Sequence, residues 1–277
     1  MGAEEITWSE AAKAIPDLVR LAYGDLVQPG AQQVGKALST VLGLGNTLLW
    51  PIALLNGAAD ITLRRNLDRL RKKLAVTPLE EIVPITPEIG VPIAEKIAFA
   101  SDPIISELYL TILAKAATRE NCQLAHPSFA NVIANFSPDD AKLFGILATQ
   151  ENLPALSVRA TNTNDTTAYK ELRRLIPSPD VLDILAFPAQ VAVYVSNLEG
   201  LGLMLVRSDI YITQLAQEYV DMEAFYHMQF GELYKGQLSA NAYQLQFGRQ
   251  VLSITSFGRL FANAVDIEAA LQAVAGK

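Results

Sequence analysis

Cysteine and histidine are almost missing from this 277-residue sequence, which has one cysteine, Cys122, and two histidines, His126 and His227. A lone thiol excludes an internal disulfide framework, and with two imidazoles it excludes a zinc site rich in Cys or His. Charge is also scarce. Charged residues make up 18% of the chain and hydrophobic residues 51%, whereas soluble domains carry about 25% charged residues. That balance points to a well-buried interior or to membrane contact. The net charge of −7 argues against a general coat for nucleic acid. The start, MGAEEITWSEAAKAIP, lacks the basic and apolar regions of a secretory signal. Ile6 stands where a myristoylation motif needs Ser or Thr. The expectation is a bacterial-type cytoplasmic protein.

Signatures of catalysis and of cofactor binding are missing too. Cys122 and His126 are four apart, which would put them on one helical face. However, Pro127 and Ser128 read as a loop entering a helix, so His126 is expected to cap or pack there. His227, in EAFYHMQF, sits among apolar and aromatic residues and reads as a partly buried, satisfied side chain. Gly43-x-Gly45 lacks the third glycine and the preceding strand of a nucleotide fingerprint. Asn162, Asn164 and Asp165 lack the glycine and closing glutamate of a calcium loop. The expectation is a non-enzymatic protein with no catalytic, cofactor-binding or metal-binding residues.

What the sequence does have is a long uncharged run. Residues 37–59, ALSTVLGLGNTLLWPIALLNGAA, contain no ionisable side chain, and six cations follow within ten positions: Arg64, Arg65, Arg69, Arg71, Lys72 and Lys73. A run of that length can cross a hydrocarbon core, and a basic flank suits a cytoplasmic edge. Yet Gly43, Gly45, Asn46, Pro51, Asn56 and Gly57 interrupt it. Two short buried helices bent at GLGN and Trp50-Pro51 account for the segment as well as a span does. Leu48, Leu49, Trp50 and Leu54, with the six cations, are the candidate contacts to a membrane or partner. Leu63, Leu67, Leu70 and Leu74 form a seam at 4-3-4 spacing. That seam can pack within the chain or in a homo-oligomer.

Helix signals dominate elsewhere. Asp102-Pro103 and Ser137-Pro138-Asp139-Asp140 are N-caps followed by a first-turn proline. Pro78, Pro84, Pro87 and Pro92 mark an extended strap, and TNTNDTT at 161–167 marks an exposed loop. The order AQVAVYVSNLEGLGL, variable insert, QVLSITSFGRLF reads as a winged helix, with Val251, Ser253 and Thr255 alternating along a wing strand. The predicted class is mainly α: a helical N-terminal part, residues 1–76; a proline-rich strap with central helices, 77–136; and a winged-helix-like part with a small β-hairpin, 137–277. DNA binding is disfavoured, because the candidate recognition helix has no cation and residues 137–277 hold ten basic against fifteen acidic side chains. Arg249 and Arg259 are the remaining candidates for nucleic-acid contact.

Several motifs in a fixed order resemble the Abi-alpha (abortive infection alpha) family: YGDLVQPGAQQVGKAL from Tyr23, LYLTILAKAA from Leu108, His126-Pro127-Ser128-Phe129, SPDDAKL from Ser137, NLEGLGL from Asn197, and Thr255, Phe257, Gly258 and Phe261. The resemblance implies a role in phage resistance, in which an infected cell stops growing or dies, and it carries no catalytic signature. The leading expectation is action on the inner membrane through residues 37–74, with the protein peripheral to it. The rivals are a module that senses a phage or host protein, and a DNA-binding regulator. No cofactor is expected.

Overall fold

The computed structural model describes residues 57–240 and 243–275. The uncharged run up to Asn56, with Leu48, Leu49, Trp50 and Leu54 and the expected bends, lies outside the described residues. The described chain divides into two compact units. One takes the residues up to Phe136 and those from Asn263 onward; the other is Ser137–Ala262.

The first unit is helical. Its elements are α1 (Gly57–Leu74), α2 (Pro87–Ile97), α3 (Pro103–Ala116), α4 (Phe129–Ala134) and, at the C-terminal end, α11 (Ile267–Ala275). Helix α3 begins where the sequence signals it: the Asp102 carboxylate accepts from the N–H groups of Ile104 and Ile105, and Pro103 opens the first turn. It is apolar nearly all round, as a central helix must be. Residues 106–113 are buried without a break, and α1, α2, α4 and α11 pack around them. The seam Leu63, Leu67, Leu70 and Leu74 is buried in this core and offers no free coiled-coil face. The prolines do less to break helix than the sequence suggests. Pro87 starts α2 and Pro92 lies inside it. A first-turn proline loses no intrahelical bond, and the cost of Pro92 is met by burying Ile89, Ile93 and Ile97.

The second unit corrects the expected fold class. Its elements are α5 (Pro138–Gln150), β1 (Asn152–Asn162), β2 (Tyr169–Pro177), α6 (Pro179–Ile184), α7 (Val191–Gly200), β3 (Met204–Arg207), α8 (Ala216–Leu233), α9 (Lys235–Ala240), β4 (Tyr243–Ile254) and α10 (Ser256–Val265), whose last turn passes the unit boundary. The strands form one antiparallel sheet in the order β2-β1-β4-β3. A small hairpin on an all-α, winged-helix-like part therefore gives way to a four-stranded sheet inside a mixed α/β protein in which helices still dominate. Strands β1 and β4 pair along 152–162 and 243–253 without a register shift. Residues 153–158 of β1 are buried consecutively, so both of its faces are covered. That removes the polar–apolar alternation by which a strand is recognised. Helix α8 lays Tyr219, Met222, Tyr226 and Phe230 against Leu156, Val158, Leu172, Ile176 and Val251. Helix α5 packs on β1 and β4 as well, and α7 on β2 and β3.

Candidate functional site

Two cations of the basic helix, Arg69 and Lys73, are committed inside the first unit. Arg69 forms an ion pair with Glu107 on α3 and donates to Ser106 Oγ at 2.6 Å. Lys73 reaches the other Glu107 oxygen at 2.5 Å. Burial alone would raise the pKa of Glu107, but Lys73 and Arg69 outweigh it and hold the carboxyl below its usual range. One turn before Arg69, Asn66 is fully buried and donates to the carbonyls of Ile97 (2.8 Å) and Ala100 (3.0 Å), tying α1 to the end of α2. Arg65 donates to the Ser101 carbonyl at 3.2 Å, and Lys72 pairs with Asp68 at 2.8 Å. Arg71 is exposed. The Arg64 side chain lies outside the described residues.

The two arginines proposed for nucleic acid are likewise engaged. Arg249 Nε lies 2.7 Å from Glu223 and its guanidinium sits 5.3 Å over the Tyr219 ring, while Arg259 is paired with Glu151. Each cation is neutralised by a neighbouring carboxylate, which weakens its pull on phosphate. His126 sits at the entry to α4, where its Nδ1 accepts from the Ser128 N–H at 3.2 Å and its ring meets Phe129. Cys122 is exposed, with Sγ 3.4 Å from the Arg119 carbonyl. His227 is exposed rather than partly buried. The stripe Tyr219–Met222–Tyr226–Phe230 takes the buried face of α8, and position 227 is turned about 100° from Tyr226. Among the described residues, no group of three His, Cys, Asp or Glu side chains is placed to hold a metal.

Three of the quoted motifs, SPDDAKL, NLEGLGL and Thr255–Phe261, meet in two junctions of the second unit. At the first, Ser137 and Asp140 form a reciprocal capping box on α5. Asp140 also accepts from Asn197 Nδ2 at 3.1 Å. Its neighbour Asp139 accepts from the N–H groups of Ala186 (3.0 Å) and Phe187 (2.9 Å), from the Tyr194 hydroxyl (3.2 Å) and from Lys142 (3.2 Å). Burial would raise the pKa of Asp139, yet the Ala186 and Phe187 N–H groups and Lys142 together lower it. At the second junction, Gly202 has φ +73° and its carbonyl accepts from the Thr255 hydroxyl at 2.6 Å. The Thr255 N–H in turn donates to the Leu203 carbonyl. Gly258 passes so close that a Cβ there would lie 2.1 Å from the Leu203 oxygen. The segments around 138, 197, 202 and 258 are thus joined by short, directional contacts.

An open groove of this unit was not read from the sequence. A groove of about 650 Å³ runs between β2, the α6–α7 connection and α8. Leu182, Ala192, Phe230 and Leu233 supply apolar surface, and Leu233 is 65% exposed. Arg173 and Arg174 line it from β2. Arg173 Nη1 donates to the Leu172 carbonyl at 2.8 Å and its guanidinium lies 5.8 Å over the Phe230 ring. Among the described residues, neither arginine is paired with a carboxylate. Glu232 also lines the groove, with Lys235 3.7 Å away. The sequence signal was RRL within YKELRRLIP, masked because the strand itself was not recognised.

An α/β protein with an apolar, arginine-edged groove is the class these features define. By its sequence, the chain belongs to the Abi-alpha ("Abortive infection alpha") family, matched over residues 61–265. Membership associates it with abortive infection. No curated protein matches the chain. Among solved structures, an uncharacterized protein from the hydrocarbon-degrading marine bacterium Alcanivorax borkumensis SK2 is similar at 15% identity, with a TM-score of 0.33, over 53% of this chain and 96% of that one. Among the described residues, no helix is long and apolar enough to cross a membrane.

Proposed function

We propose that this chain is a non-enzymatic abortive-infection protein that works by binding another protein through the groove of its second unit. The partner offers an amphipathic segment: apolar anchors for Leu182, Phe230 and Leu233, and at least one carboxylate for Arg173 and Arg174. The observation that carries the reading is two neighbouring cations, without carboxylate partners among the described residues, edging apolar surface on a chain whose net charge is −7. An arginine held over an aromatic ring keeps its donors directed and available, and arginines beside apolar pockets suit interface hot spots. Action on lipid draws less support. Its attraction would come from the cations of α1, about 1 kcal/mol for each one near the surface. Arg69 and Lys73 are instead paired with Glu107, and Lys72 with Asp68.

The test combines phage plating with site-specific photo-crosslinking. Arg173→Glu with Arg174→Glu alters exposed positions, and a folded, normally abundant variant should lose protection. A crosslinker at Leu233 should capture, in infected cells, a protein whose crosslinked peptide is acidic and amphipathic, and the charge reversal should abolish that product. Undiminished protection by the reversed variant overturns the reading. Leakage of anionic vesicles that depends on Arg71 and Lys72 would move the function to lipid.

A further inference from the structure

The two edges of the sheet are built differently. Strand β2 forms one edge, and its exposed residues include Lys170, Glu171, Arg173 and Arg174, with Pro177 at its end. Charges and proline on an edge strand oppose pairing with a further strand. On the other side, β3 has four residues and covers β4 only at 251–254. The remainder of β4, from Tyr243 to Gln250, is paired with β1 and carries no strand on its other side among the described residues.

The direction of the backbone groups that have no partner strand among the described residues follows from the ladder. The N–H of Ile254 donates to Glu151, on the β1 side, and that of Thr255 to Leu203, on the β3 side. Backbone groups alternate along a strand, and the β1–β4 register is unbroken. The N–H and C=O groups of Tyr243, Leu245, Phe247 and Arg249 therefore face away from β1. This stretch, YQLQFGRQ, has one charge, that of Arg249, already paired with Glu223. It has no lysine, no proline and no inward charge to oppose pairing. Leu245 and Phe247 are half-buried and Gln244 and Gln246 are exposed, so both a hydrophobic row and a polar row run along the edge.

We propose that this edge joins two copies of the chain, β4 against β4 antiparallel, about a two-fold axis at Gln246. That register places Leu245 opposite Phe247, Gln244 opposite Gly248 and Tyr243 opposite Arg249 of the second copy. The outward-facing residues then meet each other as hydrogen-bonded pairs. No like charges face each other, and an arginine meets a tyrosine ring. Isologous pairing satisfies the same donors and acceptors on both copies at once. A foreign strand would satisfy the backbone equally. The self-complementary, uncharged side chains favour the second copy.

Gln246 at the axis forms a non-hydrogen-bonded pair with itself, with Cα atoms about 4.5 Å apart, within disulfide range. In a Cys122→Ser background, which removes the exposed thiol, Gln246→Cys should give a disulfide-linked dimer under mild oxidation. Sedimentation of the unsubstituted chain should show twice the monomer mass. Gln246→Lys sets two ammonium groups against each other and should weaken dimerisation at least tenfold. Mixing Gln246→Lys with Gln246→Glu should restore it. Three results overturn the proposal: a monomer at about 100 µM; a dimer that Gln246→Lys leaves intact; or a dimer in which Gln246→Cys does not crosslink. A monomer in which the Leu245 and Phe247 amides exchange freely would leave the edge to a strand from another protein.

Discussion

Replacing Glu107 by glutamine measures how firmly the cations of α1 are committed to the interior of the first unit. The carboxylate receives Arg69 and Lys73, and its side chain is 10% exposed. Removing one member of a fully buried ion pair costs about 3–5 kcal/mol, because the other charge stays desolvated. Here the stranded cations keep 20% and 31% of their side-chain surface in water, which recovers part of that loss. The expected cost is about 2–3 kcal/mol. Urea denaturation followed by far-ultraviolet circular dichroism at pH 7 reads it. Asp68→Asn is the control: it removes the exposed pair with Lys72 and should cost no more than about 0.5 kcal/mol. Acid supplies the second reading. The folded-state pKa of Glu107 lies below its ordinary value of 4.5. The stability it contributes is therefore fully present above that value and is lost as pH falls through the lowered one. Glu107→Gln should reduce the acid-side slope of stability and leave the slope between pH 6 and 8 unchanged, its full cost being present there. A cost under about 0.5 kcal/mol, or an unchanged slope below pH 5, refutes the reasoning.

Three further substitutions probe the second unit. Gly258→Ala brings a methyl carbon against the Leu203 backbone, which cannot swing aside as a side chain could. It should cost about 3 kcal/mol or abolish soluble expression. Gly200→Ala, with open space around it, should be neutral or stabilise α7 by about 0.5–1 kcal/mol; thermal melts of the pair decide the matter. Tyr226→Phe removes a buried hydroxyl that donates to the Pro177 carbonyl at 2.7 Å. A loss of about 1–2 kcal/mol in the same urea titration is expected, and no loss would mean that water replaces the bond.

How much of this was legible depended on whether the signal was local. The caps at Asp102 and Ser137 are written in a few adjacent residues, and both helices start there. The leucine seam of α1 repeats within one element, so its burial could be read, though not its partner. Strand β1 was missed because NLPALSV is covered on both faces and shows no alternation. Strand β2 was missed because Lys170, Glu171, Arg173 and Arg174 make it resemble a solvated helix face. The fate of the cations was illegible for the same reason. Arg69 and Lys73 look like a lipid-facing stripe until Glu107, 38 positions away from Arg69, is brought against them. Arg249 and Arg259 looked free until Glu223 and Glu151 folded beside them. The groove joins residues near 174, 192 and 230, and no window of sequence contains all three.

The chemistry of the junctions bears on where function can lie. Asp139 is the most engaged carboxylate of the second unit, and a buried acid is an obvious suspect for catalysis. Its oxygens, however, accept from two backbone N–H groups, a tyrosine hydroxyl and a lysine, and the net effect lowers its pKa. A general base works best with a pKa near the working pH and an oxygen open to substrate. Asp139 is shifted the wrong way, and its donors all come from its own unit. Its geometry is that of a fastener between α5, the 186–187 turn and α7. Thr255, Gly202 and Gly258 do the same between α10 and the entry to β3. Fasteners of this kind make a rigid frame, and a rigid frame sharpens the two features it leaves open. The groove and the β4 edge are on different elements, so a charge reversal at Arg173 and Arg174 should leave dimerisation intact, and Gln246→Lys should leave capture at Leu233 intact. Loss of both activities from either variant would mean that one surface had been mistaken for two.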